Sequence, residues 1–480
     1  MLKLIPGSKA PGVQTLEEAR VLIDLLWDTQ LENIERIDRL EEKLRTGSNN
    51  SSKPPSQDSP AQRARRKKKS PTGRNKGAQP GHKKHSRVCL PESDVDAVHR
   101  FYPTGQCACG GNVIAGETPS VRHQVFDLPE VRYQVTEYQR YDGKCSQCGR
   151  DHKGGFPVWI PQGQMGAGLV SWISLVSGQY HLSIRQIQSL LEQQWQLRFS
   201  IGAISQAQRP VSGWLQPIYA QIGHAVRQSK VAHADETTHW RGSERRWLWT
   251  LCTERAVYFL THYSRGKAAA KALLGDFTGI LVTDRHGGYN DYTKAHRQCC
   301  LVHVLRNLEK MAQRRSQAGE LGQRLTRMLR LLIRIEHRWR KKNYASRVYR
   351  QRLERLRQGF HETLVEGMQN HPKSRTGNQC KRLLQDEPML WTFLQHPGIP
   401  LTNNTAERAI RPYVIWRKTS FFSQSYRGDP FRPLILSITE TCKRLGIHAY
   451  PVLRKACEQG LRGDAVTVRL PIPKPTPLLI

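Results

Sequence analysis

Two acidic residues in the chain close short apolar runs, where carboxylates are well placed for phosphoryl-transfer chemistry. Asp235 ends Val231-Ala232-His233-Ala234-Asp235, and Asp284 ends Gly279-Ile280-Leu281-Val282-Thr283-Asp284. Both runs read as β-strands. If they lie side by side, joined by a right-handed crossover through an Ala/Lys/Leu helix over 267–274, the two carboxylates meet at neighbouring strand ends. Carboxylates that close repel one another, and a divalent cation relieves the repulsion. Oxygen-only ligands favour Mg²⁺ or Mn²⁺ over softer ions. Glu407 is the third acid. Asn403, Asn404 and Thr405 precede it, and such residues cap helix N-termini, so Glu407 is expected in a first helical turn. Arg408 and Arg411, with Arg417 and Lys418, suit the phosphates of a bound strand. A site of this kind cleaves or joins phosphodiesters with two metal ions about 3.5–4 Å apart. A lone Asp is usually a solvated surface group. Three acids at two strand ends and a helix start, in a strongly basic chain, are harder to explain that way.

Those acids need a scaffold, and the surrounding pattern supplies one. Val231–Asp235, Arg246–Thr253 and Ala256–Tyr263 read as three strands. Lys267–Leu274 reads as a helix, Gly279–Thr283 as a strand and Cys299–Met311 as a helix. Residues 314–360 read as long, helical and Arg-rich. Further upstream, Ser183 and Gln186 form a capping-box pattern ahead of a helix over 184–195, and Ser200 opens a second short helix reaching Ala207. Two helices joined by a tight turn suggest a helix-turn-helix, although generic helix packing is as common.

The bulk composition points to a polyanionic partner. Lys plus Arg number 75 against 40 for Asp plus Glu, a net charge of +35 over 480 residues. Solubility needs far less, and nucleic acid is the usual polyanion. The charge is densest at Arg65, Arg66, Lys67, Lys68 and Lys69, in a stretch broken by Gly and Pro, which suits phosphate binding without sequence reading. Residues 47–60 are rich in Ser, Asn and Pro and read as a linker. Ile23, Trp27, Leu31, Ile34, Ile37, Leu40 and Leu44 recur three or four apart, one apolar stripe that serves either self-association or packing within its own domain. No apolar run nears the ~20 residues of a membrane span. Residues 1–10 have no extended apolar region, so a cytoplasmic protein is expected. The eleven cysteines, odd in number and unevenly spaced, suit a reducing compartment with some metal-binding thiols. Cys107 and Cys109, with Cys145 and Cys148, are the candidate zinc ligands.

These residues resemble the transposases of the insertion sequence 66 family, of the Asp-Asp-Glu class. Ala234-Asp235-Glu236-Thr237 is similar to the first acidic motif, and Thr283-Asp284 with Gly288-Tyr289 to the second. Asn403-Asn404-Thr405-Ala406-Glu407-Arg408, with Arg411-Pro412 and Arg417-Lys418, is similar to the third and is the most specific. Gly77-Ala78-Gln79-Pro80-Gly81-His82-Lys83 resembles the family's basic motif, the N-terminal helix its leucine zipper and the cysteine module its zinc-binding domain. Cys300, His303 and Arg306 stand where the family shows Cys, His and Arg. The resemblance implies that His303 and Arg306 touch DNA, against a purely structural Cys–His contact.

The implied fold class is α/β, an RNase H-like catalytic core with a helical insertion. The implied division is a zipper-like helix (13–46), a basic linker (47–98), a zinc module (99–160) and a helical, helix-turn-helix-like region (165–228). The core follows in two parts (229–312 and 399–465) around an Arg-rich insertion (313–398). The implied function is a DNA transposase that cuts at element ends and joins the 3′-hydroxyls to target DNA. Two Mg²⁺ or Mn²⁺ ions per active site and one structural Zn²⁺ would serve it. Double-stranded DNA, at least a dimer on DNA, accessory proteins of the same element and a bacterial nucleoid location are the implied partners and setting. The alternative is a catalytically inactive, zinc-containing DNA-binding protein derived from a transposase. Two departures stand out. Thr402 replaces the usual Asp, and Cys107-Ala108-Cys109 has a one-residue gap where two are typical, which tightens the tetrahedral geometry and leaves His99 or His152 as an alternative to one thiolate.

Overall fold

Eleven residues, Val231–Arg241, form the strand around which the acid-bearing half of the molecule is organised. The computed structural model describes residues 15–45, 60, 81, 87–103, 105–128, 133–314, 316–342, 346–426 and 428–473. Arg65, Arg66, Lys67, Lys68 and Lys69 lie outside the described residues, as does most of the Gly77–Lys83 motif. The described residues fall into two compact units, the smaller within residues 64–137.

In chain order the helices and strands begin with α1 (Leu16–Arg45) and the short hairpin β1 (Gly143–Lys144) and β2 (Asp151–His152). Five helices follow: α2 (Ala167–Gly178), α3 (Ile184–Trp195), α4 (Ile201–Ala207), α5 (Val211–Trp214) and α6 (Gln216–Arg227). Next come β3 (Val231–Arg241), β4 (Glu244–Cys252), β5 (Val257–His262), α7 (Lys267–Leu274), β6 (Ile280–Thr283), β7 (Arg297–Cys299) and α8 (Leu301–Met311). The helices α9 (Gln317–Lys342), α10 (Ser346–Asn370), α11 (Arg375–Gln385), α12 (Glu387–Leu390) and α13 (Thr392–Gln395) precede α14 (Asn404–Thr419), α15 (Gly428–Leu445) and α16 (Ala449–Leu461). Among the described residues no helix is long and apolar enough to cross a membrane.

The sheet runs β5-β4-β3-β6-β7. The first three strands are antiparallel neighbours, while β3, β6 and β7 are parallel. The fold is therefore mixed α/β with a helical majority. Strand β6 is buried throughout, with both faces covered. Ile280 and Val282 join the core formed with α8 to α11, and Leu281 joins the core formed with α6, α7 and α14 to α16. Alternation along the strand sends successive side chains to opposite faces.

Helix starts follow the sequence closely. Ser183 Oγ accepts from the Gln186 amide at 3.3 Å while Gln186 Oε1 accepts from the Ser183 amide at 2.9 Å, a complete capping box. Ser200 Oγ caps α4 through Ala203 N at 3.1 Å. The Arg-rich stretch is not one helix. It splits into α9 and α10, whose Arg324–Glu366 pair and Glu336–Tyr349 contact give an antiparallel hairpin. Leu325, Leu329 and Leu332 bury their faces with Leu353, Phe360 and Leu364. On α1 the apolar residues Ile23, Trp27, Ile37 and Leu40 are exposed.

Candidate active site

Parallel pairing sets the first two acids level. His233 lies opposite Val282 at the end of the β3–β6 ladder. Asp235 and Asp284 each stand two residues beyond that pair, so both carboxylates leave the same face at the same height. Asp235 does not end its strand, as the sequence suggests. β3 runs on to Arg241 because β4 continues to pair with it through Glu244. What ends near Asp235 is the parallel ladder, and the effect on the carboxylate is the same. Asp235 Oδ1 accepts from Glu236 N and Asp284 Oδ1 from His286 N, both at 2.9 Å.

Glu407 comes from α14, in its first turn. Asn403, the N-cap residue, makes no side-chain cap. It acts as a cross-link instead. Its Nδ2 donates to Ala234 O at 2.8 Å, and its Oδ1 lies 3.2 Å from His233 Nδ1. Its backbone N donates to Cys300 Sγ at 3.3 Å, and its carbonyl accepts from Glu407 N at 3.1 Å. One buried amide thus fixes β3, the start of α8 and the start of α14 relative to one another. Burial drives the His233 pKa down to about 4, so His233 is a neutral partner of Asn403 at pH 7.

The electrostatics tie the three acids together. Burial, followed by the neighbouring charges of Glu236, Asp284 and Glu407, pushes the Asp235 carboxyl up to about 8. All three candidate acids are half-buried. Glu236, the second acid of the first motif, is the most enclosed acid here, its side chain 2% exposed. Burial and Asp284 raise its pKa. It points to the opposite face from Asp235, where Arg265 donates to it at 2.9 and 3.1 Å and Tyr289 at 3.2 Å. Two successive acids in one strand must face opposite ways, which is the signal that separates their roles.

Residues 300–303 complete the neighbourhood. Cys300 N donates to Thr283 O at 2.7 Å, which places the N-cap of α8 beside Asp284. Cys300 Sγ, a His303 ring nitrogen and a Glu407 carboxylate oxygen lie within 4.8 Å of one another. Among the described residues this is the group of three ligand-type atoms gathered that tightly, and the three acids interact at longer range. Hydrogen bonding with Cys300 first, then the charges of Cys300, Glu407 and Asp284, raises the His303 pKa against its burial. Arg306 lies one turn along α8 and is half-buried. On α14, Arg408, Arg411 and Lys418 are exposed. Arg417 Nη1 donates to Thr237 Oγ1 and Thr238 O, both at 2.6 Å, so part of its guanidinium braces β3.

The cysteine pairs form local turns, each described in its own unit. In the smaller unit Gly110 N donates to Cys107 O at 2.8 Å, and Cys107 N to Gly111 O at 3.0 Å. In the larger unit Gly149 N donates to Cys145 O and Cys145 N to Arg150 O, both at 2.9 Å. Gly110 and Gly149 have φ of 84° and 69°, left-handed values that glycine adopts without strain. Backbone and side-chain donors in each turn, Cys109 for Cys107 and Cys148 for Cys145, lower the pKa of the first thiol. Both turns therefore favour thiolate, the form that binds metal.

The family described as Transposase IS66 family matches residues 162–429, and a family of unknown function (DUF6444) matches residues 8–88. Similar curated proteins come from Sinorhizobium fredii (strain NBRC 101917 / NGR234). The uncharacterized protein y4qI is 25% identical over 267 residues, 48% of each chain. The uncharacterized protein y4hP is 23% identical over 376 residues, 71% of this chain and 68% of the relative. The uncharacterized protein y4jO is 34% identical over 85 residues, 18% of this chain and 26% of the relative. The chain thus spans about half the length of the first of these.

Proposed function

The chain belongs to the IS66 transposase family, and on that premise we propose that it cleaves phosphodiesters at the ends of a mobile element and joins the freed 3′-hydroxyls to target DNA. The observation that carries this reading is the convergence of Asp235, Asp284 and Glu407 from β3, the end of β6 and the first turn of α14. Burial first, then the charges of Glu236, Asp284 and Glu407, push Asp235 up to about 8. An all-oxygen donor set with uncompensated like charge fits Mg²⁺ or Mn²⁺. Asp235, Asp284 and Glu407 would hold two such ions. Bound there, the ions supply an acidified attacking hydroxyl or water and charge neutralisation at the leaving oxygen.

The remaining roles belong to the protein's own groups. Asn403 and His233 set the angle between β3 and α14 and so the approach of Glu407 to Asp235. Arg408, Arg411 and Lys418, exposed beyond Glu407, receive backbone phosphates. His303 and Arg306 line the same approach from α8. The strand order, three antiparallel strands followed by two parallel ones, supports an RNase H-like core interrupted by α9 to α13. Within each unit, the lowered thiol pKa in the Cys107–Cys109 turn and in the Cys145–Cys148 turn supports these cysteines as zinc ligands. The exposed apolar stripe of α1 supports self-association, and the net charge of +35 supports DNA as partner in the bacterial nucleoid.

The test uses purified full-length protein with labelled element ends and Mn²⁺. Wild type is expected to nick and join. Asp235→Asn, Asp284→Asn and Glu407→Gln are each expected to bind the ends without joining. Retained joining in any one of them removes that residue from the site.

A further inference from the structure

The donor set beside the three acids is not all oxygen. Cys300 is the N-cap of α8, His303 lies three residues on and Glu407 faces them from α14, with one ligand atom of each within 4.8 Å of the others. We infer that Cys300, His303 and Glu407 form a binding site for a Zn²⁺-class cation, distinct in ligand chemistry from the all-carboxylate site and sharing Glu407 with it. Thiolate, imidazole and carboxylate are the ligands zinc takes, and three protein ligands leave its fourth position open.

Several details fit an ion better than a plain contact. His303 Nε2 and Glu407 Oε1 are 3.8 Å apart, too long for a hydrogen bond. Ligand bonds of about 2.0–2.3 Å at tetrahedral angles separate donor atoms by roughly 3.3–3.8 Å. The amide of Asn403 already donates to Cys300 Sγ at 3.3 Å, an outer hydrogen bond of the kind that supports a metal thiolate. Cys300 itself is 1% exposed, whereas the Glu407 side chain is 37% exposed and gives an ion a way in. An ion held there occupies Glu407, and zinc and the harder cation compete for one carboxylate.

The inference goes beyond the proposed joining reaction and is read without DNA or Mg²⁺. Full-length protein is stripped with chelator and titrated with Zn²⁺ against a chromophoric zinc indicator. Cys300→Ser and His303→Gln are each expected to bind one equivalent fewer than wild type, while Asp235→Asn binds as many. Substitution with Co²⁺ is expected to give a weaker thiolate charge-transfer band in Cys300→Ser than in wild type. If Cys300→Ser does not fold, the half-buried His303→Gln decides the matter. Full zinc stoichiometry and unchanged affinity in folded His303→Gln overturn the site. Loss of joining in Asp235→Asn with zinc binding intact separates this result from the catalytic one.

Discussion

Strand β3 carries two buried polar clusters on one face, a few residues apart, and they are built on opposite principles. At one end His239 Nε2 lies 2.9 Å from Asp429 Oδ1, and Arg241 and Arg246 reach Asp429 Oδ2 at 3.2 and 3.3 Å. Tyr413 hydrogen-bonds the other ring nitrogen of His239. Opposite charges meet, and both carboxylate oxygens of Asp429 are paired. Near the middle, Asp235 faces Asp284 and Glu407, like charges with no cation side chain among the causes that hold its pKa. Burial opposes ionisation of both Asp429 and Asp235. At Asp429 the hydrogen bond from His239 and the charges of Arg246 and Arg241 overcome it and lower the pKa. At Asp235 the neighbours add to burial. Strain of that kind persists in a fold when function needs it. A balanced cluster marks structure, and an unbalanced one marks a place for something to bind.

The contrast makes opposite demands on pH and on mutation. Asp235→Asn is expected to abolish joining yet stabilise the metal-free protein near pH 8. The folded carboxyl titrates near 8 and the unfolded one near 4, so the folded state holds the extra proton between those values. Wild-type stability therefore falls as pH rises through that window, and the Asn variant escapes this slope. Denaturant unfolding of metal-free protein at pH 5 and pH 8 checks it, and equal slopes in both proteins would refute the assigned repulsion.

Asp429→Ala should act the other way. Removing the acid on which His239, Arg241 and Arg246 converge is expected to cost about 3–5 kcal/mol at neutral pH. The Asp429 pKa is lowered, so its contribution is complete above the unfolded carboxylate value and is lost as pH falls through the folded one. His239, held neutral by burial, adds to the same acid sensitivity. A midpoint shift in urea, measured at pH 7 and again near pH 3, reads the effect. A loss that persists undiminished at the lower pH would contradict an ionic origin.

Smaller effects sharpen the picture of how the two clusters are joined. Asn403→Ala removes the bonds to His233 and Ala234 that orient Glu407, and joining is expected to fall about 10–100-fold. DNA binding should be unaltered, and an unchanged joining rate would show that Asn403 only packs. Smallest of all, Arg408→Ala and Arg411→Ala should each weaken DNA binding and reduce the salt slope by about 1, without altering sequence preference. Binding measured across a salt series tests this.

Much of the scaffold was legible because its signals are local. The Ser183–Gln186 capping box, the Ser200 cap, the strand-strand-strand-helix-strand order and the place of Glu407 in a first helical turn all follow from nearest neighbours. Strand β7 was not legible. Its residues, Arg297, Gln298 and Cys299, carry no apolar alternation, and Cys299 reads naturally as a helix start. Buried, they find partners outside the strand: Gln298 accepts from Phe393 N at 2.9 Å, and Arg297 donates to Tyr289 O at 3.2 Å. The split of residues 314–360 into α9 and α10 was equally hidden, since both halves are helical and only their mutual packing turns the chain back.

By itself the sequence determined which residues carry charge, thiol and imidazole, which runs form strands or helices, and that three acids lie near element ends. These depend on side-chain chemistry and on periods of two and 3.6, which act within a few residues. Only the tertiary structure decided that Asn403 directs its amide across the sheet instead of capping its helix, and that Cys300 and His303 meet Glu407. Each of those outcomes depends on groups roughly a hundred or more residues apart along the chain, brought together by burial that no local pattern encodes.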